Sequence, residues 1–270
     1  MPTQTLLQSA KHALEQERTL PFSVYSSVEE QHILNVPILK PLLIFVLSGV
    51  KKLGKDEEML CPTGNFVFLS NSPTIDMRNI PGNEEYLAVL IEFEHGDFDH
   101  FRHQRNQAKK HFLGEIDGVL ETTLQQYMEW SLMAPEEAWH FRKKELLQVM
   151  LSLGHNDVLG LIEPPSFSHQ LQEIIGENIS GDCGVSMLTE RLAVSESTLR
   201  RKLKAEGTCL QDLKDRTKLG YGLHLVQTTM DPIGLIAERC GYQSQSRFTD
   251  KFKQLFDITP TELRKTRLQS

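Results

Sequence analysis

The sequence lacks a long apolar run and contains few cysteines. Its longest apolar stretch is 41–47, far short of the roughly 18 residues of a membrane-spanning helix, and the N-terminal MPTQTLLQSAKHALEQER lacks the basic start and apolar centre of a secretory signal. The cysteines, Cys61, Cys183, Cys209 and Cys240, show no CxxC spacing, which favours reduced thiols over disulfides or a zinc site. These absences indicate a cytoplasmic protein without a membrane partner.

Basic residues are scarce overall but unevenly distributed. The 270 residues are 39% hydrophobic and 24% charged, with a net charge of −7, typical of a globular protein long enough for two domains. From residue 168 onward there are 15 Lys and Arg against 13 Asp and Glu, so the first 167 residues carry a net −9. The acidity therefore belongs to the N-terminal part, and the C-terminal part is slightly basic.

Residues 1–93 have the pattern of short strands. Runs rich in β-branched and aromatic residues, separated by Pro, Gly and Asn, predict strands at 22–26, 31–36, 42–48, 65–70, 74–78 and 86–93. Strands at this spacing predict a sandwich or small barrel. From 97 to 153, apolar spacing of three and four predicts helices that either cover the strands or pair with a second subunit. We predict domains at 1–153 and 169–270, joined by a Gly- and Pro-containing linker at 154–168.

One basic segment occurs twice in the C-terminal part. VSESTLRRKLK (194–204) and QSQSRFTDKFK (243–253) align with six matched positions in eleven. In each, a small polar residue precedes apolar residues four apart, which predicts a basic helix with a single buried seam. A short apolar helix and a tight connection precede each copy. The pattern is that of two helix-turn-helix units in an all-α domain, which predicts double-stranded DNA as the partner.

The buried seam of the first basic helix, Leu199 and Leu203, leaves the arginines facing outward. Arg200 and Arg201 are candidates for reading guanine, because a guanidinium matches O6 and N7 bidentately. Base reading by the second helix is predicted from its outward-facing Gln245, Ser246, Arg247 and Asp250. We predict phosphate contacts from Ser195, Lys202, Lys204, Ser244, Lys251 and Lys253.

A long helix is predicted to join the two units. At about 1.5 Å per residue, roughly 20 residues span about 30 Å, close to the ~34 Å turn of B-DNA. One chain would then reach two successive major grooves. Gly220 and Gly222 lie inside this helix, where each costs about 1 kcal/mol relative to Ala. We attribute them to close packing, with a hinge as the alternative.

The C-terminal 100 or so residues resemble the AraC/XylS family of bacterial transcription regulators. The resemblance rests on AERCGYQSQSRFTDKFKQLFDITPTELR (237–264) and VSESTLRRKLKAEG (194–207). It implies seven helices, activation of transcription, contact with RNA polymerase, and base contacts at the positions of Ser197, Arg200, Arg201, Gln245, Ser246 and Asp250. Departures from the family are Asp257, where Gly is usual, Gly222, where Ala is usual, and Asp250, where a basic or polar residue is usual.

The N-terminal part is similar to the cupin-like domain of the same family, through ILKPLLIFVLSGVKKLG (38–54) and CPTGNFVFLS (61–70). The resemblance implies an α+β protein in which this domain holds a small-molecule effector or forms a homodimer. Tyr25, Lys40 and Phe45 are the candidates for lining an effector site. Control by a protein partner without a small-molecule effector is the alternative.

A metal-dependent cupin enzyme fused to a DNA-binding domain is the third possibility. Such a site needs several His and a carboxylate that converge, but the predicted strands supply only His32, while His95 follows the last strand and His100 and His103 fall in the helical part. GxSxG, P-loop and GxGxxG motifs are absent. We therefore predict that the protein is not an enzyme and has no metal, cofactor or catalytic residue.

Overall fold

A computed structural model of the protein describes residues 2–16, 19–55, 59–70, 72–104, 111–161, 166–181 and 183–267. Two antiparallel sheets form the N-terminal part. The larger sheet has the order β1-β8-β3-β6-β9, with strands Ser23–Ser27, Tyr86–Glu92, Leu42–Ser48, Asn65–Leu69 and His111–Glu115. The smaller has the order β2-β7-β4-β5, with strands Gln31–Ile38, Ser72–Ile80, Val50–Leu53 and Met59–Pro62. This confirms the predicted N-terminal cupin-like barrel or sandwich.

Helices cover the outer face of the larger sheet. They are α1 (Gln4–Leu14), α2 (Gly118–Ser131) and α3 (Trp139–Ser152), with 3-10 helices at His95–Gln104, Glu136–Ala138 and Asn156–Leu161. Phe45, Phe66 and Phe68 point from β3 and β6 into a core that includes Tyr127 of α2 and Leu147 of α3. The two helices predicted to follow the strands are therefore present, and their apolar faces cover the sheet.

Residues 166–181 and 183–267 form seven helices. They are α4 (Phe167–Glu177), α5 (Val185–Arg191), α6 (Glu196–Ala205), α7 (Leu210–Thr228), α8 (Ile233–Arg239), α9 (Gln245–Phe256) and α10 (Pro260–Lys265). The pairs α5–α6 and α8–α9 are the two helix-turn-helix units. The all-α C-terminal domain with two such units is thus confirmed.

The helical and β parts share one hydrophobic core. The inner residues of both sheets, among them Ile33, Ile44 and Met77, form one cluster with residues of α7 to α10, among them Leu223 and Phe256. Hydrogen bonds cross the same boundary, from Asn35 Nδ2 to the Leu255 carbonyl oxygen at 3.0 Å and from the Val28 amide to the Thr266 carbonyl oxygen at 2.8 Å. The second helix-turn-helix unit is therefore packed directly on the smaller sheet.

The first helix-turn-helix unit has a hydrophobic core of its own. Leu188 of α5, Leu199 and Leu203 of α6, and Leu171 and Ile175 of α4 form a separate cluster. The first unit is joined to the β part through α4, because the His169 imidazole Nε2 lies 2.9 Å from the Leu39 carbonyl oxygen. The two units therefore differ in how they are held to the β part.

The predicted linker at 154–168 contains one whole 3-10 helix and the start of α4. Asn156–Leu161 is a 3-10 helix and α4 begins at Phe167, whereas residues 162–165 lie outside the described residues. The domain boundaries themselves stay a prediction. No helix among the described residues combines the length and apolarity needed to cross a bilayer.

Candidate functional site

The first basic helix, α6, buries one narrow seam and exposes the rest. Ser195 caps its N-terminus, with its hydroxyl accepting the Thr198 amide hydrogen at 3.2 Å. Leu199 and Leu203 are each 1% exposed, which is the predicted seam. The predicted base-reading residues Ser197, Arg200 and Arg201 and the predicted phosphate contact Lys204 are all exposed. An ion pair of 2.5 Å joins Arg200 to Glu196 one turn earlier.

The second basic helix, α9, repeats this layout with a larger seam. Ser244 caps it by accepting the Arg247 amide hydrogen at 3.3 Å. Three phenylalanines, Phe248, Phe252 and Phe256, are fully buried. The outward residues Gln245, Ser246, Arg247, Asp250 and Lys253 are exposed. The cationic face of this helix is therefore on the protein surface.

Asp257 ends α9 in the left-handed conformation, with a φ of 61°. Most residues pay a steric penalty there, and glycine does not, so glycine is favoured at this position after a helix. The left-handed conformation explains why the family usually has Gly at the position of Asp257. Asp is one of the few other residues that tolerates this conformation.

Two of the predicted phosphate contacts already have partners. The Lys202 ammonium lies 4.5 Å from the centre of the Phe167 ring, and the Lys251 ammonium lies 3.3 Å from an Asp215 carboxylate oxygen. The hydroxyl oxygens of Ser195 and Ser244 accept amide hydrogens as helix caps. The Ser195 hydroxyl also donates to Thr198 Oγ1 at 3.0 Å, so a phosphate would have to replace that hydrogen bond. Lys204 and Lys253 are exposed.

The connector α7 is 19 residues long and so spans about 28 Å. Its two glycines lie at close contacts. A Cβ on Gly220 would lie 2.8 Å from Pro37 Cγ of β2, and one on Gly222 would lie 2.8 Å from Phe248 Cε2 of α9. Both glycines are therefore explained by close packing, and the hinge alternative is not needed. The glycines allow α7 to contact the β part and the second unit at the same time.

The three predicted effector-lining residues do not come together. Phe45 is fully buried under the outer helices, with its ring 5.8 Å from that of Phe66. Tyr25 faces the opposite side of the same sheet, where its hydroxyl lies 3.4 Å from His224 Nδ1 of α7. Lys40 forms a 2.6 Å ion pair with Glu94. No single chamber is lined by all three.

A different lysine is buried between the two sheets. Lys51 of β4 is 1% exposed, and its ammonium donates to Asn79 Oδ1 of β7 at 2.7 Å. The Lys51 ammonium also lies 5.7 Å from the centre of the Tyr86 ring. Among the described residues its contacts are therefore a neutral amide and an aromatic ring, without a carboxylate. Burial lowers its pKa from 10.5 to about 8. The nearby phenol of Tyr86 is buried with no hydrogen-bond partner among the described residues, and burial raises its pKa well above 10.

A buried chain of amides connects Lys51 to the helical part. Asn79 Nδ2 donates to Gln31 Oε1 at 2.8 Å, and Gln227 Nε2 of α7 donates to the same oxygen at 3.1 Å. Gln31 Nε2 in turn donates to the Thr266 hydroxyl at 2.8 Å. Thus a polar path runs from the interior of the β part to the connector and to the residue after α10.

Sequence reasoning missed this set. Successive residues of a strand alternate between its faces, so Lys51 lies on the same face as the inward Leu53. In the structure Lys51 and Leu53 are buried and Val50 and Lys52 are half-buried, but four residues are too few for this alternation to predict the strand from the sequence. The amide partners come from β2, β7 and α7, and only the fold brings them together.

The comparisons with known proteins agree with this architecture. Residues 188–266 match the family described as a helix-turn-helix domain. The transcriptional regulator GadX of Escherichia coli O6:H1 is 28% identical over 127 residues, which are 45% of this chain and 46% of GadX. The regulator AdiY of E. coli K12 is 30% identical over 93 residues, which are 34% of this chain and 37% of AdiY. The chain thus matches less than half the length of these curated relatives.

Solved structures extend the likeness to both parts of the chain. ToxT of Vibrio cholerae superposes with a TM-score of 0.68 at 15% identity, covering 93% of this chain and all of that one. A ToxT structure described as bound to an unsaturated fatty acid gives a TM-score of 0.65 at 14% identity, covering 94% of this chain and 97% of that one. At such identity the likeness concerns the fold alone. The sequence motifs, the two helix-turn-helix units and the matched family point to the same conclusion. Residues 188–266 form a helix-turn-helix domain of the AraC type, as the resemblance predicts.

Proposed function

We propose that the chain is a sequence-specific regulator of transcription that binds double-stranded DNA in the cytoplasm through α6 and α9. The observation that carries this proposal is the repetition of one exposed basic helix, each copy fixed by a buried seam and a serine cap, at the two ends of a rigid connector. The connector spans about 28 Å, and one turn of B-DNA is about 34 Å. Two such helices on one face of a duplex would enter successive major grooves.

The roles of the exposed residues follow from their chemistry. Arg200 and Arg201 have the bidentate guanidinium that matches a guanine edge. Asp250 accepts but does not donate, so it would favour a cytosine amino group and repel phosphate. Lys204 and Lys253 contribute to affinity without sequence choice, because a phosphate contact carries no base information. By family resemblance, we also propose that the bound regulator activates transcription through RNA polymerase.

We further propose that the β part is controlled by a small molecule with an acidic head group and an apolar tail. A buried ammonium without a carboxylate partner is costly, and an anionic ligand would neutralise it. The apolar inner faces of both sheets surround Lys51 with residues such as Leu53 and Met77. The fatty acid named for the ToxT structure has this chemistry, which supports the proposal for the present chain.

The amide chain suggests how such a ligand would act on DNA binding. A carboxylate at Lys51 would compete with Asn79 for the ammonium, and Asn79 shares the Gln31 oxygen with Gln227 of α7. A change in that shared hydrogen bond alters the packing of α7 on β2. Since α7 sets the spacing of α6 and α9, the ligand would change the fit of both helices to DNA.

A regulator controlled through a protein contact, with a second copy of this chain or with a regulatory protein, is the second candidate, and exposed apolar residues favour it. Met133 and Phe141, which flank the turn between α2 and α3, are 81% and 64% exposed. Large exposed apolar side chains mark interaction surfaces when they cluster. We assign these two residues to a homodimer contact through the N-terminal domain, with a regulatory protein as the other occupant.

Selection of bound sequences from random duplex DNA tests the regulator proposal. Full-length protein is expected to enrich a site with two conserved segments about one helical turn apart. Enrichment of no sequence over the starting pool would refute sequence-specific binding. Enrichment of a single short segment would contradict simultaneous reading by α6 and α9.

Direct binding measurements test the effector proposal separately. Oleate is expected to bind the full-length protein, whereas oleyl alcohol, which has the same tail without the charge, binds much more weakly. Lys51→Met removes the ammonium and should abolish the preference for oleate, while Lys55→Met, an exposed lysine in the turn after β4, should retain it. Equal binding of oleate and oleyl alcohol to the wild type would overturn this assignment.

A further inference from the structure

A second cluster of polar side chains lies where α4 meets the β part. His95 begins the 3-10 helix that follows β8, and His169 and Glu173 lie one turn apart on α4. One nitrogen of each histidine and one carboxylate oxygen of Glu173 all lie within 4.8 Å of one another. The two imidazole rings are edge to face, with their centres 4.8 Å apart. His95 of the β part and His169 of α4, which are 74 positions apart in the chain, therefore belong to one cluster of side chains.

The hydrogen bond of His169 to the β part fixes which nitrogen is available. Its Nε2 lies 2.9 Å from the Leu39 carbonyl oxygen, and a carbonyl oxygen only accepts, so Nε2 carries the proton. In the neutral ring, Nδ1 then carries the free lone pair. Burial lowers the pKa of His169 below its ordinary value of 6.5. A backbone carbonyl bound to the far nitrogen is the arrangement that orients metal-binding histidines.

The nitrogens that face each other lack hydrogen-bond partners. Both His169 Nδ1 and His95 Nε2 are buried without a hydrogen bond to any described residue, although a buried polar atom normally has one. The Glu173 carboxylate lies beside His169, with its Oε1 3.6 Å from His169 Nδ1. The free lone pair of His169 Nδ1, the unpartnered His95 Nε2 and the Glu173 carboxylate therefore lie close together, and a cation bound by all three would satisfy them.

We propose that His95, His169 and Glu173 bind a divalent transition-metal ion, of the zinc class, at the junction of the β part and α4. Two imidazoles and one carboxylate form a donor set that zinc takes in proteins, with a fourth position for water. Bond lengths of about 2.0 Å in a tetrahedral site separate the ligand atoms by about 3.3 Å. The 3.6 Å pair of His169 and Glu173 is close to this value. The other separations, at most 4.8 Å, would shorten by up to about 1.5 Å on binding.

The ion would bridge the β part and α4. His95 belongs to the β part, whereas α4 packs on α6 and α7 and contributes Leu171 and Ile175 to the core of the first helix-turn-helix unit. A metal bridge across the junction therefore fixes the first unit to the β part, in addition to the His169 contact with Leu39. The second unit needs no such bridge, because it shares a hydrophobic core with the smaller sheet.

Metal titration of the chelator-treated, full-length protein tests this site. Cys209 is an exposed thiol and a competing ligand, so the measurements use a Cys209→Ser background. Cobalt(II) is the probe, because its visible absorption reports tetrahedral coordination, and zinc is then added to displace it. We expect one ion per chain, and at least a tenfold weaker affinity in both His95→Ala and Glu173→Gln. His100→Ala, an exposed histidine on the same 3-10 helix, is the matched control and should bind like the parent.

Thermal unfolding gives a second measurement that does not depend on colour. Saturating zinc should raise the Tm of the parent, because an ion that binds only the folded state stabilises it, and the rise should be lost in Glu173→Gln. That variant changes a half-exposed carboxylate and is expected to keep the parent's circular dichroism even if His95→Ala does not fold. Absence of saturable binding in the parent, or affinity in Glu173→Gln equal to that of the parent, would overturn the site.

Discussion

Replacing Lys51 with methionine should change the pH dependence of stability in a defined direction. In the folded protein, burial lowers the pKa of Lys51 from 10.5 to about 8. For a base with a depressed folded-state pKa, the folded state binds fewer protons than the unfolded state between these two values. Burying the charged ammonium therefore lowers the free energy of unfolding of the wild type by its full amount below pH 8. This destabilisation decreases as the pH rises toward 10.5. Methionine has no titrating group, so the variant lacks this recovery.

The magnitude follows from the same two pKa values. Each pKa unit corresponds to about 1.36 kcal/mol, so the penalty at pH 7 is about 3 kcal/mol, and linkage reduces it to about 1.4 kcal/mol at pH 9.5. Loss of the ammonium also leaves Asn79 Oδ1 without its donor, which costs about 1–3 kcal/mol at any pH. Lys51→Met should thus be more stable than wild type by about 0–2 kcal/mol at pH 7, and this advantage should fall by about 2 kcal/mol at pH 9.5.

Urea unfolding at the two pH values, followed by circular dichroism, measures the difference. Lys55→Met serves as the control, because that side chain is exposed and its replacement should leave the pH dependence of wild type intact. Burial raises the pKa of the neighbouring Cys61 thiol from 9.0 to about 12, so in this window that thiol ionises only in the unfolded state. Its ionisation lowers the stability of wild type and Lys51→Met in the same direction and largely cancels in their difference. Parallel stability curves for wild type and Lys51→Met would refute the conclusion that a buried ammonium limits the stability of this fold.

Four further changes probe the DNA interface, the connector and the dimer contact. Arg201→Ala should cost about 1–3 kcal/mol at the selected site and relax its sequence preference, measured by binding to site variants; unchanged preference would refute base reading. Lys253→Ala should weaken all duplexes equally and reduce the slope of log affinity against log salt by about 1; a loss confined to one sequence contradicts a phosphate contact. Gly222→Ala should lose about 1–3 kcal/mol of stability because the methyl group overlaps a buried ring, whereas Gly176→Ala, where a Cβ meets nothing within 4 Å, should gain about 0.4–1 kcal/mol; similar effects at both sites would disprove the packing explanation. Phe141→Asp should shift the protein toward monomer in sedimentation, and an unchanged mass would exclude this surface from the dimer.

The secondary structure of the helical part was predictable, whereas parts of the β domain were not. Strands Val50–Leu53, Met59–Pro62 and His111–Glu115 and helix Gln4–Leu14 were not predicted. The strands have only four or five residues, too few for an alternation to stand out. The helix carried a readable signal, because Thr3 caps it and Leu6, Ala10 and Ala13 are buried at helical spacing.

The effector candidates show why alternation fails in a fully apolar strand. Residues 42–47 are all apolar and all buried, since the strand packs on helices on one side and on the smaller sheet on the other. Nothing in such a run tells which residues face inward. Phe45, a candidate for lining an inner chamber, points to the outer core, and Ile44 and Val46 face inward instead.

By itself, the sequence determined the two helix-turn-helix units, their outward arginines and the connector, because a seam at four-residue spacing and a serine cap are local features of one helix. Only the tertiary structure decided which polar residues meet in the interior. Lys51, Asn79, Gln31 and Gln227 come from three strands and a helix, and His95 reaches His169 across the domain junction. Such contacts depend on strand register and on the docking of α4 and α7, which are set by the packing of the whole chain and leave no periodic trace in any one segment.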